Sequence, residues 1–196
     1  MNRVRINFGK KGKAKFFLID KKKVEEENIT HLTVFNMILV GDKRRVLLFR
    51  ISKECEFKNF WSFPAGHIES IREAENPVLA VIRETKEETG LKIKKEWLFV
   101  IEESGLKKAR DYQISINSVI PEDKVSKEWG FIKGLPHMVI PFVSFVKDVY
   151  KIKLSNEFDR HEIVDLTKTK KYNLTPIIKV MIERFLKLHH SNRISE

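Results

Sequence analysis

The chain has 196 residues, of which 42% are hydrophobic and 33% are charged. This composition excludes disorder of the whole chain, because it supplies enough apolar side chains for the core of one globular domain. The 38 basic and 27 acidic side chains give a net charge of +11, which favours anionic partners such as nucleotides, polyphosphates or nucleic acid. Cys55 is the one cysteine in the sequence, so an internal disulfide is excluded.

Residues 1–29 are predicted to form a basic extension packed on the main domain, which is predicted to span residues 30–190. Nine Lys or Arg against one Asp give residues 1–23 a net charge of +8. A strand or hairpin beside the domain and a basic arm that contacts RNA both fit this segment. Its apolar run, Phe16 to Ile19, is too short for a signal sequence or a membrane span, so we expect a cytoplasmic protein without a membrane partner.

The first elements of the main domain are predicted as a β-hairpin followed by a short strand. Residues 31–40 and 44–50 are apolar and rich in β-branched side chains, and Gly41-Asp42 between them is a turn signal. The segment FWSFP then ends at a proline, which fits a strand that leaves the sheet near Phe63.

An amphipathic helix is predicted over residues 77–89. Asn76 is a favourable N-cap, Pro77 suits the first helical position, and Gly90 is placed to end the helix. Because both ends carry a signal, the faces of this helix can be assigned from the sequence.

The rest of the chain is predicted to contain further strands and one last helix. The strand signals cover residues 91–103, 111–120 and 138–154. Pro141 predicts a kink or an exposed edge in the last of these strands, and residues 121–136 are predicted to be an insertion or a long loop. The last helix begins at Thr175-Pro176 and carries an apolar stripe that is expected to lie in the core. Together these elements predict an α+β fold with a mixed β-sheet.

Three glutamates occupy one side of the helix predicted over residues 77–89. Glu84, Glu87 and Glu88 fall within an arc of about 100°. Like charges at these spacings, close to the negative end of the helix dipole, destabilise an isolated helix. A hard divalent cation would reverse this cost, because clustered carboxylate oxygens are ligands that suit Mg²⁺ or Mn²⁺. The alternative is a solvated acidic face relieved by Arg83 and Lys86.

The residues around this helix resemble the Nudix box, G-x5-E-x7-R-E-U-x-E-E-x-G-U, in which U is a bulky aliphatic residue. The positions that match are Gly66, Glu75, Arg83, Glu84, Glu87, Glu88, Gly90 and Leu91. Eight residues separate Gly66 from Glu75 where the family pattern has five, as in a three-residue insertion, and Thr85 stands where an aliphatic residue is usual. The strand order and the last helix extend the resemblance to about residues 30–188.

The resemblance implies a MutT-like Nudix hydrolase with an α/β/α sandwich around the mixed sheet. Such an enzyme would hydrolyse a phosphoanhydride bond in a nucleoside diphosphate linked to a further group, with Mg²⁺ as cofactor and Mn²⁺ as a substitute. A nucleoside triphosphate or a related nucleotide is the expected substrate. The alternative is a catalytically weak Nudix-fold module that binds a nucleotide or RNA.

The resemblance also implies roles for individual residues. The implied metal ligands are the backbone carbonyl of Gly66 and the carboxylates of Glu84, Glu87 and Glu88. Arg83 and Glu75 would form an ion pair that orients the loop against the helix, with Glu73 or Glu69 as the alternative partner of Arg83. The general base is left open between Glu84 on the helix and Glu157 in the later segment NEFDRHEIVDL, with Glu162 as a weaker choice.

Overall fold

The computed structural model describes the central sheet and the two α-helices that flank it. The described residues are 3–8, 15–20, 31–41, 44–55, 57–67, 77–102, 105–109, 120–121, 137–147, 149 and 151–190. Within them the strands are β1 (Arg3–Phe8), β2 (Lys15–Asp20), β3 (His31–Val40), β4 (Arg45–Ile51), β5 (Trp61–Ser62), β6 (Ala65–His67), β7 (Leu98–Glu102), β8 (Gly105–Lys108), β9 (Ile120–Pro121), β10 (His137–Val146) and β11 (Phe158–Asp165). The α-helices are α1 (Pro77–Thr89) and α2 (Pro176–His190), and 3₁₀ turns cover Lys95–Trp97 and Leu166–Lys171.

Nine of these strands form one mixed sheet with the path β11-β4-β3-β10-β7-β8. At its centre β3 and β10 run parallel, in register from His31 opposite His137 to Val40 opposite Val146. The remaining registered pairs are antiparallel, and the short strands β5, β6 and β9 pair with β4, β3 and β10. β1 and β2 pair with each other in a separate two-stranded sheet. The predicted α+β class with a mixed sheet is confirmed.

The two helices cover opposite faces of the large sheet. Successive side chains of a strand point to opposite faces, and Met37 and Leu39 of β3 belong to the core cluster that includes α2. Ile38 and Val40 belong to the second cluster, on the face where Asn36 reaches α1. The apolar stripe of α2 is buried as predicted, through Ile177, Ile178, Met181, Ile182 and Phe185. The architecture is therefore an α/β/α sandwich.

The predicted hairpin and the predicted central helix are confirmed. The hairpin is β3 and β4, with Gly41 at a φ of 69° in the turn. Helix α1 begins at Pro77 and ends before Gly90, which has a φ of 73°. Asn76, the predicted N-cap, lies outside the described residues. The chain leaves β5 after Ser62, near the predicted exit, and returns to the sheet as β6.

The strand predicted over residues 91–103 is wrong in its first half. The strand β7 begins only at Leu98, after a 3₁₀ turn in which the Trp97 amide donates to the Lys94 carbonyl at 3.0 Å. The alternation of apolar residues with lysines imitates a strand, but Leu91 packs against the core cluster on the α1 face directly after the helix ends. Tertiary packing therefore overrides the local pattern there.

The strand predicted over residues 138–154 is too long, because β10 ends at Val146. Beyond that point the apolar residues serve packing rather than sheet pairing. Those that pack on the second core cluster are Val149, Ile152 and Leu154. The exposed edge predicted at Pro141 is wrong, since β10 is a central strand, whereas the kink stays a prediction. β9 pairs with β10 before Pro141 and β7 pairs with it after Pro141, so the proline falls between two antiparallel partners.

Some predictions fall largely outside the described residues. These are the strand over residues 111–120 and the loop over residues 121–136, apart from Ile120–Pro121 in β9. The segment 1–29 contains β1 and β2, which matches the hairpin alternative, while its packing on the main domain stays a prediction. In the part of the chain that the structure describes, no helix is both long and apolar enough to cross a bilayer.

Candidate active site

The C-terminal end of α1 is fixed by a turn and by the segment that precedes β11. The Gly90 amide donates to the Lys86 carbonyl at 2.9 Å, an αL cap that needs the positive φ of a glycine. The Thr89 carbonyl accepts from Lys153 N and the Glu88 carbonyl from Ser155 N, both at 2.9 Å. Since Ser155 is two residues before Glu157, these bonds hold the later acidic segment against the end of the helix.

The three motif glutamates of α1 occupy different environments. The Glu87 side chain is 58% exposed and the Glu84 side chain 14% exposed, whereas Glu88 is buried, with 4% of its surface accessible. Across the predicted carboxylate face, solvent exposure therefore increases from Glu88 through Glu84 to Glu87.

Gly66 of β6 lies directly against Glu84. A Cβ atom built on Gly66 would overlap the carboxylate of Glu84, much closer than the 3.0 Å below which Cβ contacts are essentially not found. Gly66 pairs with Val34 on β3, so it is held in the sheet and cannot move away. A side chain at this position would therefore push the Glu84 carboxylate away from β6, whereas glycine lets the predicted pair of Gly66 and Glu84 come together.

Glu88 and Glu157 meet beside β6. The Ala65 amide donates to Glu88 Oε2 at 2.9 Å, and a hydrogen bond with the Glu157 carboxyl group contributes to the raised pKa of Glu88. The Glu157 backbone is held by Ser52, whose amide donates to the Glu157 carbonyl at 2.8 Å. A hydrogen bond between two carboxyl groups needs one shared proton, because two carboxylates can only accept.

The charged groups of this cluster shift one another's pKa values. Burial is the largest cause that raises the pKa of Glu88, and together with the carboxylates of Glu157 and Glu84 it raises this pKa to about 9 against the lowering effect of the Ala65 amide. Burial also raises the pKa of Glu84, where Arg83 lowers it and the neighbouring carboxylates raise it. The cluster is therefore short of positive charge at its buried end.

Arg83 contacts the cluster on its solvent side. Its Nη1 donates to Glu84 Oε1 at 2.7 Å and to Glu87 Oε2 at 3.1 Å. The predicted partner of Arg83, Glu75, lies outside the described residues, so that ion pair stays a prediction. The contact of Arg83 with two of the predicted metal ligands agrees with the alternative prediction, in which Arg83 relieves the charge of the acidic face.

The residues of this cluster suit a divalent cation by their chemistry rather than by a preformed geometry. Among the described residues no three His, Cys, Asp or Glu side chains are arranged tightly enough to hold a metal ion, and Arg83 occupies the space between Glu84 and Glu87. The donors are nevertheless hard oxygens, and the pKa values of Glu84 and Glu88 are raised first by burial and then by neighbouring carboxylates, so a cation would stabilise their charged forms. The donor set therefore fits Mg²⁺ or Mn²⁺, provided that Arg83 shifts.

The weaker candidate base, Glu162, has different partners. It accepts from the Tyr172 hydroxyl at 2.6 Å and pairs with Arg160 at 2.7 Å. Because strand β11 alternates its side chains between the two sheet faces, Glu162 lies with the residues that face α2. The structure therefore brings Glu157, but not Glu162, to the carboxylate cluster.

Several contacts of the site were missed by sequence reasoning. Thr85, the departure from the family pattern, is fully buried and accepts from Asn36 Nδ2 at 2.9 Å. The Ala65 amide and the Ser52 amide act through the backbone, which leaves no signature in the side-chain pattern. Only the unusual threonine was a usable signal, because a hydroxyl on a buried helix face requires a partner.

The fold and the cluster together define an α/β/α sandwich that presents carboxylates from one helix beside a glycine of the sheet. The NUDIX domain family model matches residues 30–185. The chain therefore belongs to the NUDIX domain family.

Solved structures share this fold at low sequence identity. The MutT protein from Methanosarcina mazei Go1 is 21% identical, with a TM-score of 0.57 over 84% of this chain and 96% of its own. A C. elegans Ap4A hydrolase is 19% identical, with a TM-score of 0.56 over 83% and 99%. The E. coli dihydroneopterin triphosphate pyrophosphohydrolase is 17% identical, with a TM-score of 0.54 over 79% and 93%. No curated protein matches the chain significantly.

Proposed function

We propose that this chain is a Mg²⁺-dependent pyrophosphohydrolase that cleaves a phosphoanhydride bond in a nucleoside diphosphate linked to a further group. Mn²⁺ is expected to substitute for Mg²⁺, and a nucleoside triphosphate or a related nucleotide is the proposed substrate. The observation that carries the proposal is the convergence of Glu84, Glu88 and Glu157 on the Gly66 side of α1. The net charge of +11 favours a polyanionic substrate, and cytoplasmic nucleotides would supply it.

The proposed metal ligands are the carboxylates and one carbonyl of the cluster: Glu84, Glu87, Glu88 and Gly66. A bound divalent cation supplies charge neutralisation on the phosphate oxygens and lowers the pKa of bound water. Glu88 is oriented by the Ala65 amide, and it must release its proton before it can act as a ligand. Arg83 would move away from Glu84 and Glu87 and pair with Glu75 or with a substrate phosphate.

Glu157 is the proposed general base. Glu157 reaches the cluster from a separate segment and is exposed to solvent. Hydrogen bonds from Ser52 and to Ser155 hold its backbone in place. It can therefore take a proton from an attacking water while the ligands on α1 stay in place. Glu84 is the alternative base, but its contacts with Gly66 and Arg83 favour a ligand role.

A panel of nucleotides tests the proposed function. The wild type should hydrolyse at least one nucleoside diphosphate-linked compound at fixed Mg²⁺, with pyrophosphate or monophosphate release identifying the bond cleaved. Glu88→Gln should remove this activity. Glu162→Gln is the matched control, because Glu162 pairs with Tyr172 and Arg160, and it should keep the activity. An inactive wild type that still binds a nucleotide would contradict the proposal.

The second candidate is a catalytically weak module that binds a nucleotide or RNA. The contact of Arg83 with Glu84 and Glu87 favours it, because an arginine that neutralises these carboxylates removes the need for a cation. RNA contact is proposed for the basic segment 1–29, whose strands β1 and β2 carry Arg3, Arg5 and Lys15. Hydrolysis by the wild type, strictly dependent on Mg²⁺, would exclude this candidate.

A further inference from the structure

A buried polar pair joins the central strand β3 to the helix α1. Asn36 and Thr85 both have no accessible surface, and Asn36 Nδ2 donates to Thr85 Oγ1 at 2.9 Å. The Thr85 hydroxyl donates to the Val81 carbonyl at 2.6 Å. A hydroxyl has one proton, so Thr85 must accept from Asn36, and this fixes which end of the Asn36 amide faces the helix.

Two apolar residues would be more stable at positions 36 and 85 than this polar pair. Asn36 Oδ1 is buried and has no hydrogen-bond partner among the described residues, and an unpaired buried acceptor lowers stability. Asn36 lies on the sheet face where its neighbour Ile38 belongs to an apolar core cluster. Two apolar side chains of similar size would fill the same space without an orphaned oxygen. The pair is therefore better explained by the orientation it imposes than by the stability it adds.

Asn36 holds a second element of the site through its backbone. Its amide donates to the Pro64 carbonyl at 2.9 Å. Pro64 is followed by Ala65, whose amide donates to Glu88, and then by Gly66, which lies against Glu84. The backbone of Asn36 thus holds the segment that contacts the glutamates. Its side chain holds the helix that carries these glutamates.

We propose that Asn36 and Thr85 are positioning residues that set the register of α1 against the segment from Pro64 to Gly66. In this register the Glu88 carboxylate meets the Ala65 amide and the Glu84 carboxylate meets Gly66. A hydrogen bond specifies an axial position of the helix, whereas apolar packing tolerates small slides. The inference rests on the proposed function, since the purpose of the register is to align the metal ligands.

The test separates orientation from stability. The double variant Asn36→Leu with Thr85→Val replaces the polar pair by apolar groups of similar size, so it should melt at or above the wild-type temperature. Its apparent Mg²⁺ affinity and its kcat should each fall about 10- to 100-fold, the usual range for residues that orient metal ligands. The increase in melting temperature on adding Mn²⁺, a readout independent of turnover, should shrink in parallel.

Two single variants and one control complete the design. Thr85→Ser keeps the hydroxyl and should retain the wild-type Mn²⁺ response, whereas Thr85→Val alone should lose it. Thr33→Val is the matched control, because Thr33 is a buried threonine of β3 with an unpaired Oγ1 on the opposite sheet face. It should change neither metal affinity nor kcat.

The outcomes distinguish this inference from the proposed function. A double variant with wild-type kcat and Mn²⁺ response overturns the positioning role. If the double variant does not fold, the comparison of Thr85→Ser with Thr85→Val decides in the same way, and equal Mn²⁺ responses overturn it. A wild type with neither hydrolysis nor a Mn²⁺-induced rise in melting temperature overturns the proposed function, and this inference with it.

Discussion

Replacing Glu88 with Gln is expected to stabilise the metal-free protein at neutral and alkaline pH. Burial, together with the carboxylates of Glu157 and Glu84, raises the pKa of Glu88 from 4.5 to about 9. The folded protein therefore keeps a proton that the unfolded chain releases. Because the folded state binds more protons than the unfolded state in this interval, stability falls as the pH rises from about 4.5 to about 9.

The size of the effect follows from the width of that interval. A pH of 7 lies about 2.5 units above the pKa of Glu88 in the unfolded chain. At about 1.4 kcal/mol per unit, the raised pKa lowers the free energy of unfolding at pH 7 by roughly 3 kcal/mol. Gln at position 88 avoids the cost, because its carbonyl can accept from the Ala65 amide and its amide can donate to Glu157. The expected gain is roughly 1 to 3 kcal/mol at pH 7, and it should vanish near pH 4.5.

Urea unfolding in the presence of a chelator measures this gain. Midpoints of wild type and Glu88→Gln are compared between about pH 5 and pH 9, with unchanged m-values as the condition for interpreting them. Glu87→Gln is the matched control, because Glu87 lies on the same turn of α1 but is exposed, and it should leave the pH dependence unaltered. A wild-type stability that does not fall with rising pH would refute the reasoning, since Glu88 would then be ionised in the folded protein.

Other variants test the remaining assignments. Gly66→Ala should abolish activity and the Mn²⁺-induced rise in melting temperature, because the added Cβ overlaps the Glu84 carboxylate; normal turnover would contradict that close approach. Glu84→Gln should lower the maximal rate and raise the Mg²⁺ concentration for half-maximal activity. Glu157→Gln should lower the rate about 10²- to 10⁴-fold with little change in that concentration, and a wild-type pH–rate profile in this variant would remove Glu157 as the base. Deleting residues 1–15 should flatten the salt dependence of RNA binding by about one log–log unit for each phosphate that the shortened chain no longer neutralises, whereas an unchanged slope would assign the segment a structural role.

Local signals in the sequence determined the helix and the hairpin that carry the site. Pro77 and Gly90 mark the ends of α1 because their backbone preferences act within a few residues, and the spacing of the glutamates then follows from helix geometry. The same local reasoning failed for residues 138–154. Apolar residues that pack on a sheet from outside it have the same composition as residues within a strand, so the pattern could not show that β10 ends at Val146.

The environments of the site residues were decided only by the tertiary structure. Burial of Glu88 beside Glu157, and exposure of Glu87, depend on where β6 and the segment before β11 lie against the helix. The partner of Thr85 is Asn36, 49 residues away in the sequence. A motif specifies which side chains share a helix face, because that is a property of a few consecutive residues. Which neighbours desolvate, pair or orient those side chains depends on contacts between distant segments, and these form only when the whole sheet is assembled.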